Sequence, residues 1–197
     1  MTSDLRLVQQ GIRDGNETAL TELYRLFHSR LHHFSTAIVK SPADAEEIVE
    51  DIFVKIWANR KDILCIDNLS VYLYVAVKNR SFNLLTQKGR PVHYGLEEMD
   101  EGAASPSLDP HKLLVSAEMM KRMQLAVGLL PPRCKMIFRM IREDGLQYRE
   151  VAQILNISVN TIDVQMAIAT KRLCAMLELQ DGEMKFLPGR SSANGAG

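Results

Sequence analysis

Apolar side chains recur every three or four residues along almost the whole chain, and no stretch of useful length alternates with the two-residue period of a strand. The pattern predicts an all-α protein. A short first helix begins at Ser3 or Asp4, either of which can cap it. Asn16 caps a longer one, in which Leu20, Leu23, Phe27, Leu31, Phe34 and Ile38 form one stripe. At Ser41-Pro42-Ala43-Asp44 the helix restarts, with Ser as N-cap, Pro at the first helical position and a carboxylate set to close a capping box. That helix turns Ile48, Ile52, Phe53 and Ile56 inward, with Trp57 near its end. A fourth, from about Asn68 to Gln87, adds Leu69, Leu73, Ala76 and Leu84. Four such helices make a small bundle over residues 1–87.

Then the periodicity stops. Residues 88–110, KGRPVHYGLEEMDEGAASPSLDP, are rich in Gly, Pro and Ser, acidic and aperiodic, and are expected to form a flexible linker. Fully extended, such a segment reaches roughly 75 Å at about 3.3 Å per residue. As a coil it averages about 25–30 Å. Asp109-Pro110 opens a new helix, Pro131-Pro132 breaks it, and another runs from about Arg133 to Asp144-Gly145. Residues 111–180 are expected to form a second helical domain and residues 181–197, with LPGRSSANGAG, a disordered tail.

The second domain carries GLQYREVAQILNISVNTIDVQMAIATKRL, Gly145 to Leu173, which has the punctuation of a helix-turn-helix. Val151, Ala152 and Leu155 line a first helix, and Ala152 is small enough for a second to cross it closely. Asn156 suits a left-handed cap at the turn, and Ser158 caps the second helix, whose buried stripe is Ile162, Met166, Ala169 and Leu173. Asn160, Thr161, Gln165 and Ile168 are left facing outward in the half that would enter a major groove, with Lys171 and Arg172 behind them as phosphate contacts. An ordinary helical hairpin would pack the same way; the turn residues together favour DNA.

Charge qualifies that expectation. Lys/Arg and Asp/Glu both number 24. Residues 1–87 hold 10 basic and 11 acidic residues, 88–118 hold 3 and 6, and 119–197 hold 11 and 7. Neither end has the basic footprint of a protein that holds DNA unaided. Glu46, Glu47, Glu50 and Asp51 form an outward acidic face that repels DNA and suits either solvent or a protein partner. By contrast, Lys78, Arg80, Lys88 and Arg90 are interleaved with Asn79, Asn83, Tyr72, Tyr74 and Phe82, the cations and aromatics that a melted strand requires. For Tyr72, packing in the core is the expectation. Cys65, Cys134 and Cys174 are dispersed and odd in number, which fits free thiols. His28 and His32 stand one turn apart, a spacing that could share a metal but more often marks half-exposed helix histidines. The start MTSDLRLVQQ lacks the pattern of a secretion signal, so the expectation is cytoplasmic. No phosphate loop, metal motif or nucleophile–base pair argues for an enzyme or a cofactor.

In this order the segments resemble the extracytoplasmic-function (ECF) group of the sigma-70 family, bacterial factors that direct RNA polymerase to promoters. DAEEIVEDIFVKIWANR (44–60) is similar to the family's polymerase-binding helix, VYLYVAVKNRSFNLLTQKGR (71–90) to its promoter-melting helix, and LPPRCKMIFRMIREDGLQYREVAQILNISVNTI (130–162) to its second DNA domain. AVKNRSFNLL and ILNISVNTI are nearest the branch common in the Bacteroidetes. The resemblance implies that Asp44, Glu46, Glu47, Glu50 and Asp51 meet core RNA polymerase. It further implies that Asn68, Lys78, Asn79, Arg80, Asn83, Lys88 and Arg90 melt and hold promoter DNA, with a loop near Ile63 to Asn68 capturing a flipped base. The upstream element would fall to Arg149, Ser158, Asn160, Thr161, Gln165, Ile168, Lys171 and Arg172. An anti-sigma factor is the third implied partner.

One departure stands out. Many relatives carry Lys and Arg in the first turns of the recognition helix, where this chain has Asp163, Gln165 and Ile168. Gln can read adenine and Ile can touch a thymine methyl, but phosphate attraction is weak. Two weak readers on one linker gain effective concentration once both dock on the polymerase. On the residues alone, a free-standing helix-turn-helix regulator is the competing expectation.

Overall fold

The computed structural model describes residues 2–90 and 117–185. In order these form α1 (Thr2–Arg13), α2 (Glu17–Val39), α3 (Pro42–Ala58), a 3-10 segment (Arg60–Cys65), α4 (Leu69–Gln87), α5 (Ala117–Gly128), α6 (Pro132–Arg142), α7 (Tyr148–Leu155) and α8 (Val159–Lys185). Asn16 accepts from Thr18 N and Ser41 from Asp44 N, as expected, and Asn68 caps α4 by accepting from Val71 N. The first helix departs from expectation: it begins at Thr2, so Ser3 and Asp4 lie within it and do not cap it. Between α1 and α2 the approach is close enough that a Cβ on Gly11 would come within 2.8 Å of Ala19 Cβ.

Leu23, Phe27, Leu31, Phe34 and Ile38 of α2 meet Ile48, Ile52, Phe53 and Ile56 of α3, all buried. The α4 helix departs from the expected single stripe. Ala76 and Leu84 are only half-buried, whereas Val71, Leu73, Tyr74, Val77 and Leu85 are inside. The reason is a second neighbour: α2 and α3 pack on one flank of α4, and α7 packs on the other. Ser35 and Ser81, both fully buried, satisfy each other across α2 and α4 at 3.0 Å.

The bundle core therefore continues into the C-terminal half through Ile137, Met140, Leu146, Val151, Ile154 and Ile162. A smaller cluster, including Val127, Leu130, Cys134, Ala169 and Leu173, joins α5, α6 and α8. The expected linker beyond Arg90 and the helix start at Asp109-Pro110 lie outside the described residues, as does the tail after Lys185. The last helix itself runs to Lys185, past the expected boundary at residue 180.

Candidate polymerase and nucleic-acid interfaces

The acidic residues of α3 are not equivalent. Lys88 Nζ reaches both oxygens of Asp44 at 2.8 and 2.7 Å, and this hydrogen bond holds the Asp44 carboxyl below the usual range. Glu46 receives His28 at 2.8 Å and lies 3.6 Å from His32. Asp51 takes Arg80 at 3.0 Å. Glu47 and Glu50 are exposed, and with them on one helical stripe stands Val54, 68% exposed. Sequence reasoning missed Val54, because an isolated apolar residue beside a stripe of Ile and Phe reads as part of the core. Among the described residues no group of three His, Cys, Asp or Glu side chains is disposed to hold a metal ion.

On α4 the sequence-predicted residues divide into two sets. Asn79, Asn83 and Arg90 are exposed, and Tyr72, 44% exposed, lies on the same face as Asn79 and Asn83. Tyr72 is thus not the core residue it was expected to be; Tyr74 is, at 1% exposure. The two tyrosines sit two positions apart, about 200° around the helix, so only one could face the bundle. The other set faces the C-terminal half. Lys78 Nζ donates to Ile154 O at 2.8 Å, and burial lowers the pKa of its ammonium. Asn68 accepts from Val71 N and donates to Glu150 Oε1 at 2.6 Å. Tyr74 donates its hydroxyl to Asp144 Oδ2 at 2.5 Å, and Arg30 donates to the Asp144 carbonyl at 3.3 Å. Burial raises the Asp144 carboxyl against the opposing pull of Tyr74 and Arg30. Gly145, at φ +74, makes the reversal between α6 and α7 beside Asp144.

The helix-turn-helix has the expected turn at Asn156 and cap at Ser158, and a capping box the sequence reading did not include. Glu150 Oε2 accepts from Gln147 N, closing a capping box on α7. Asn156 is left-handed at φ 55, and Ser158 Oγ accepts from Thr161 N at 3.0 Å. Ile162, Met166, Ala169 and Leu173 are all buried. Two expected readers are turned aside. Gln165 is half-buried and accepts the Cys134 thiol at 2.8 Å, and Ile168 packs on the smaller core cluster. Their places on the open face are taken by Asp163 and by Val164, 38% exposed, next to exposed Asn160. Arg149, Lys171 and Arg172 are exposed, and Thr161 is half-buried at the cap. A one-residue error in helical phase, 100°, is enough to exchange Val164 for Gln165.

An acidic stripe with an exposed valine, a helix bearing amides and an exposed aromatic, and a helix-turn-helix thus stand on the surface of one helical protein. Family models bear directly on the class. Residues 23–91 match sigma-70 region 2, and residues 120–173 match sigma-70 region 4. Similar proteins include the ECF RNA polymerase sigma factor SigW of Bacillus subtilis, 21% identical over 79% of this chain and 87% of its own length. The ECF RNA polymerase sigma-E factor of Escherichia coli K12 is 23% identical over 81% of this chain and 86% of its own length. Among solved structures, CnrH in complex with the cytosolic domain of CnrY aligns with a TM-score of 0.51 at 17% identity, covering 88% of this chain and 97% of that one. RpoE in complex with the anti-sigma factor NepR, from Bartonella quintana, aligns with a TM-score of 0.51 at 20% identity, covering 80% and 96%. The chain belongs to the sigma-70 family and is an alternative sigma factor of its ECF group, directing promoter recognition in transcription initiation. No helix among the described residues is long and apolar enough to cross a membrane.

Proposed function

We infer that the factor docks on core RNA polymerase through the Glu47–Glu50–Val54 stripe of α3, opens promoter DNA along the Tyr72–Asn79–Asn83 face of α4, and reads the upstream element with Asn160 and Val164. The observation that carries this reading is exposure. Each of these side chains is open to solvent, whereas Asp44, Glu46 and Asp51 are held by Lys88, His28 and Arg80. Asn can read adenine and Val can contact a thymine methyl, so the upstream element should be A·T-biased where they touch it. Arg90, exposed beyond the end of α4, extends this face toward the backbone of the strand, whereas Lys88 is held by Asp44. Chemistry belongs to the polymerase, and the factor acts without a cofactor, in the cytoplasm. An anti-sigma protein is the expected negative partner, as the NepR complex suggests for a protein of this fold.

The direct test adds the purified chain to sigma-free core polymerase on genomic DNA and sequences the 5′ ends of the transcripts. Discrete starts sharing two upstream elements support the reading; random initiation with no co-elution on core sinks it. Reversing charge at Glu47 and Glu50 together should weaken co-elution with core about tenfold, equivalent to about 1.4 kcal/mol, without changing the thermal midpoint. Asp51 is the wrong residue for that test, because its reversal also releases Arg80. At the other end, Val164→Ala should relax promoter preference at one base pair, read from a randomised upstream element, whereas Gln165→Ala should leave that preference unchanged.

A further inference from the structure

The groove between α2 and α6 gathers more positive charge than its acids match. Arg30 stands 3.8 Å from the Asp144 carboxylate, and Arg139 stands 3.5 Å from Glu143. Lys40 and Lys135 line the same groove, as does His33, and neither lysine has a carboxylate partner among the described residues. Burial lowers the pKa of the Lys135 ammonium, and Arg139 and Lys40 lower it further, so both cations lie within repulsive reach of it. Lys135 donates to Gly128 O, but an ammonium keeps further donors after one such bond. Arg139 Nε is buried without a hydrogen-bond acceptor. Lys40 ends α2 at φ 59, a left-handed position that usually falls to Gly or Asn and here carries a long cation. Behind the charges the wall is apolar: Phe34 and Met140 are almost fully buried, and Met136 is half-buried. We propose that this groove binds a small organic diphosphate of the nucleoside diphosphate class, its phosphates on Lys40, Lys135 and Arg139 and its uncharged body against Phe34 and Met136.

Size and charge select that class. The groove holds about 390 Å³ and is half-open to solvent, and sites for small organic ligands run roughly 300–1,000 Å³. An α-helix, about 10–12 Å in diameter, is too bulky to seat more than an edge there, and a DNA duplex is wider still. Two unmatched lysines and the Arg139 Nε call for more than one negative charge on neighbouring atoms, which a diphosphate supplies and a monocarboxylate does not. The first turn of α6 begins in the groove at Pro132 with no side-chain cap, which adds partial positive charge. A ligand touching both α2 and α6 stabilises the folded chain by mass action. The site shares no residue with the α3 stripe, the exposed face of α4 or the Asn160–Val164 face, so it stands whether or not those faces act as inferred above.

The test is titration calorimetry of the full chain with ADP, and with pyrophosphate and adenosine as the two parts of its chemistry. ADP should bind at one site with a Kd of about 1 mM or below, raise the thermal midpoint and bind more weakly as salt is added. Pyrophosphate should bind about tenfold more weakly than ADP, or worse, and adenosine not measurably. The double variant Lys40→Gln, Lys135→Gln should lose about tenfold or more of the ADP affinity while keeping wild-type helicity by circular dichroism. Ala37→Leu, which narrows the groove without touching a charge, should weaken ADP but not pyrophosphate. If the double variant does not fold, Lys40→Gln alone, at an exposed position, decides by the loss of ADP affinity. No binding of ADP by the wild type overturns the proposal, as does undiminished binding by the lysine variant, which would place ADP elsewhere. Pyrophosphate binding as tightly as ADP overturns it by removing the organic body. Displacement of ADP by a mixed-sequence DNA duplex also overturns it, since the cations would then serve nucleic acid.

Discussion

Truncating Ile162 to Ala will cost about 2–5 kcal/mol and abolish promoter-specific initiation while leaving much of the attachment to core polymerase in place. Ile162 is fully buried on the inner face of the recognition helix, in the cluster that includes Val151, Ala152 and Leu155 of α7. It is one of the few side chains that fix the angle between the two helices, so the cavity left behind loosens the geometry on which base contacts depend. The α3 stripe lies in the other half and keeps its own support from Leu31, Phe34 and Ile48. Denaturant unfolding measures the stability loss; co-elution with core and run-off transcription measure the division of labour. Equal loss of both activities would mean that α8 carries much of the docking.

The second large effect is expected on strand opening. Tyr72→Ala should reduce open-complex formation by about 5- to 150-fold, the span of about 1–3 kcal/mol found for a base stacked on an aromatic ring. Tyr72→Phe should restore most of it, because stacking needs the ring and not the hydroxyl. Permanganate reactivity of promoter thymines in the presence of core polymerase reads the open complex, and gel mobility at low temperature reads the closed one. Since Tyr72 is 44% exposed, its truncation should shift the thermal midpoint little. If Ala and Phe behave alike, the ring is not a stacking platform and the exposed face of α4 must work through Asn79 and Asn83 alone.

Much of this architecture is legible in the sequence because it is built from local devices. Asn16, Ser41, Asn68, Asn156 and Ser158 each state a helix boundary through chemistry with residues close by, and each is found at that boundary. The stripes of α2, α3 and α8 were equally plain, since each helix has one principal buried side. On α4, which is buried on two sides, period alone could not say that Tyr74 is inside and Tyr72 outside. The candidate site was harder still. Asp44, Glu46 and Asp51 are paired by residues 44, 18 and 29 positions away, and the Lys78 and Asn68 contacts span 76 and 82 positions. Nothing local announces a partner at that distance.

The short helix at the start of the chain has a consequence for the loop that precedes α4. Gln9, 2% exposed, uses both hydrogens of its amide, one on Ile63 O and one on Ile66 O at 2.9 Å each, and Arg6 reaches Leu64 O at 3.0 Å. Two carbonyls of the 3-10 segment and that of Ile66 just after it are therefore tied down from a different helix. Fixing a residue's backbone costs about 1–2 kcal/mol of conformational entropy, and here that cost is met during folding. Were this loop to receive the flipped base that the family resemblance implies, it would not need to order itself while the duplex opens, and α1 would become a determinant of how fast promoters melt. Gln9→Ala should show itself as slower isomerisation from closed to open complex, long before it shows as a weaker grip on either polymerase or DNA.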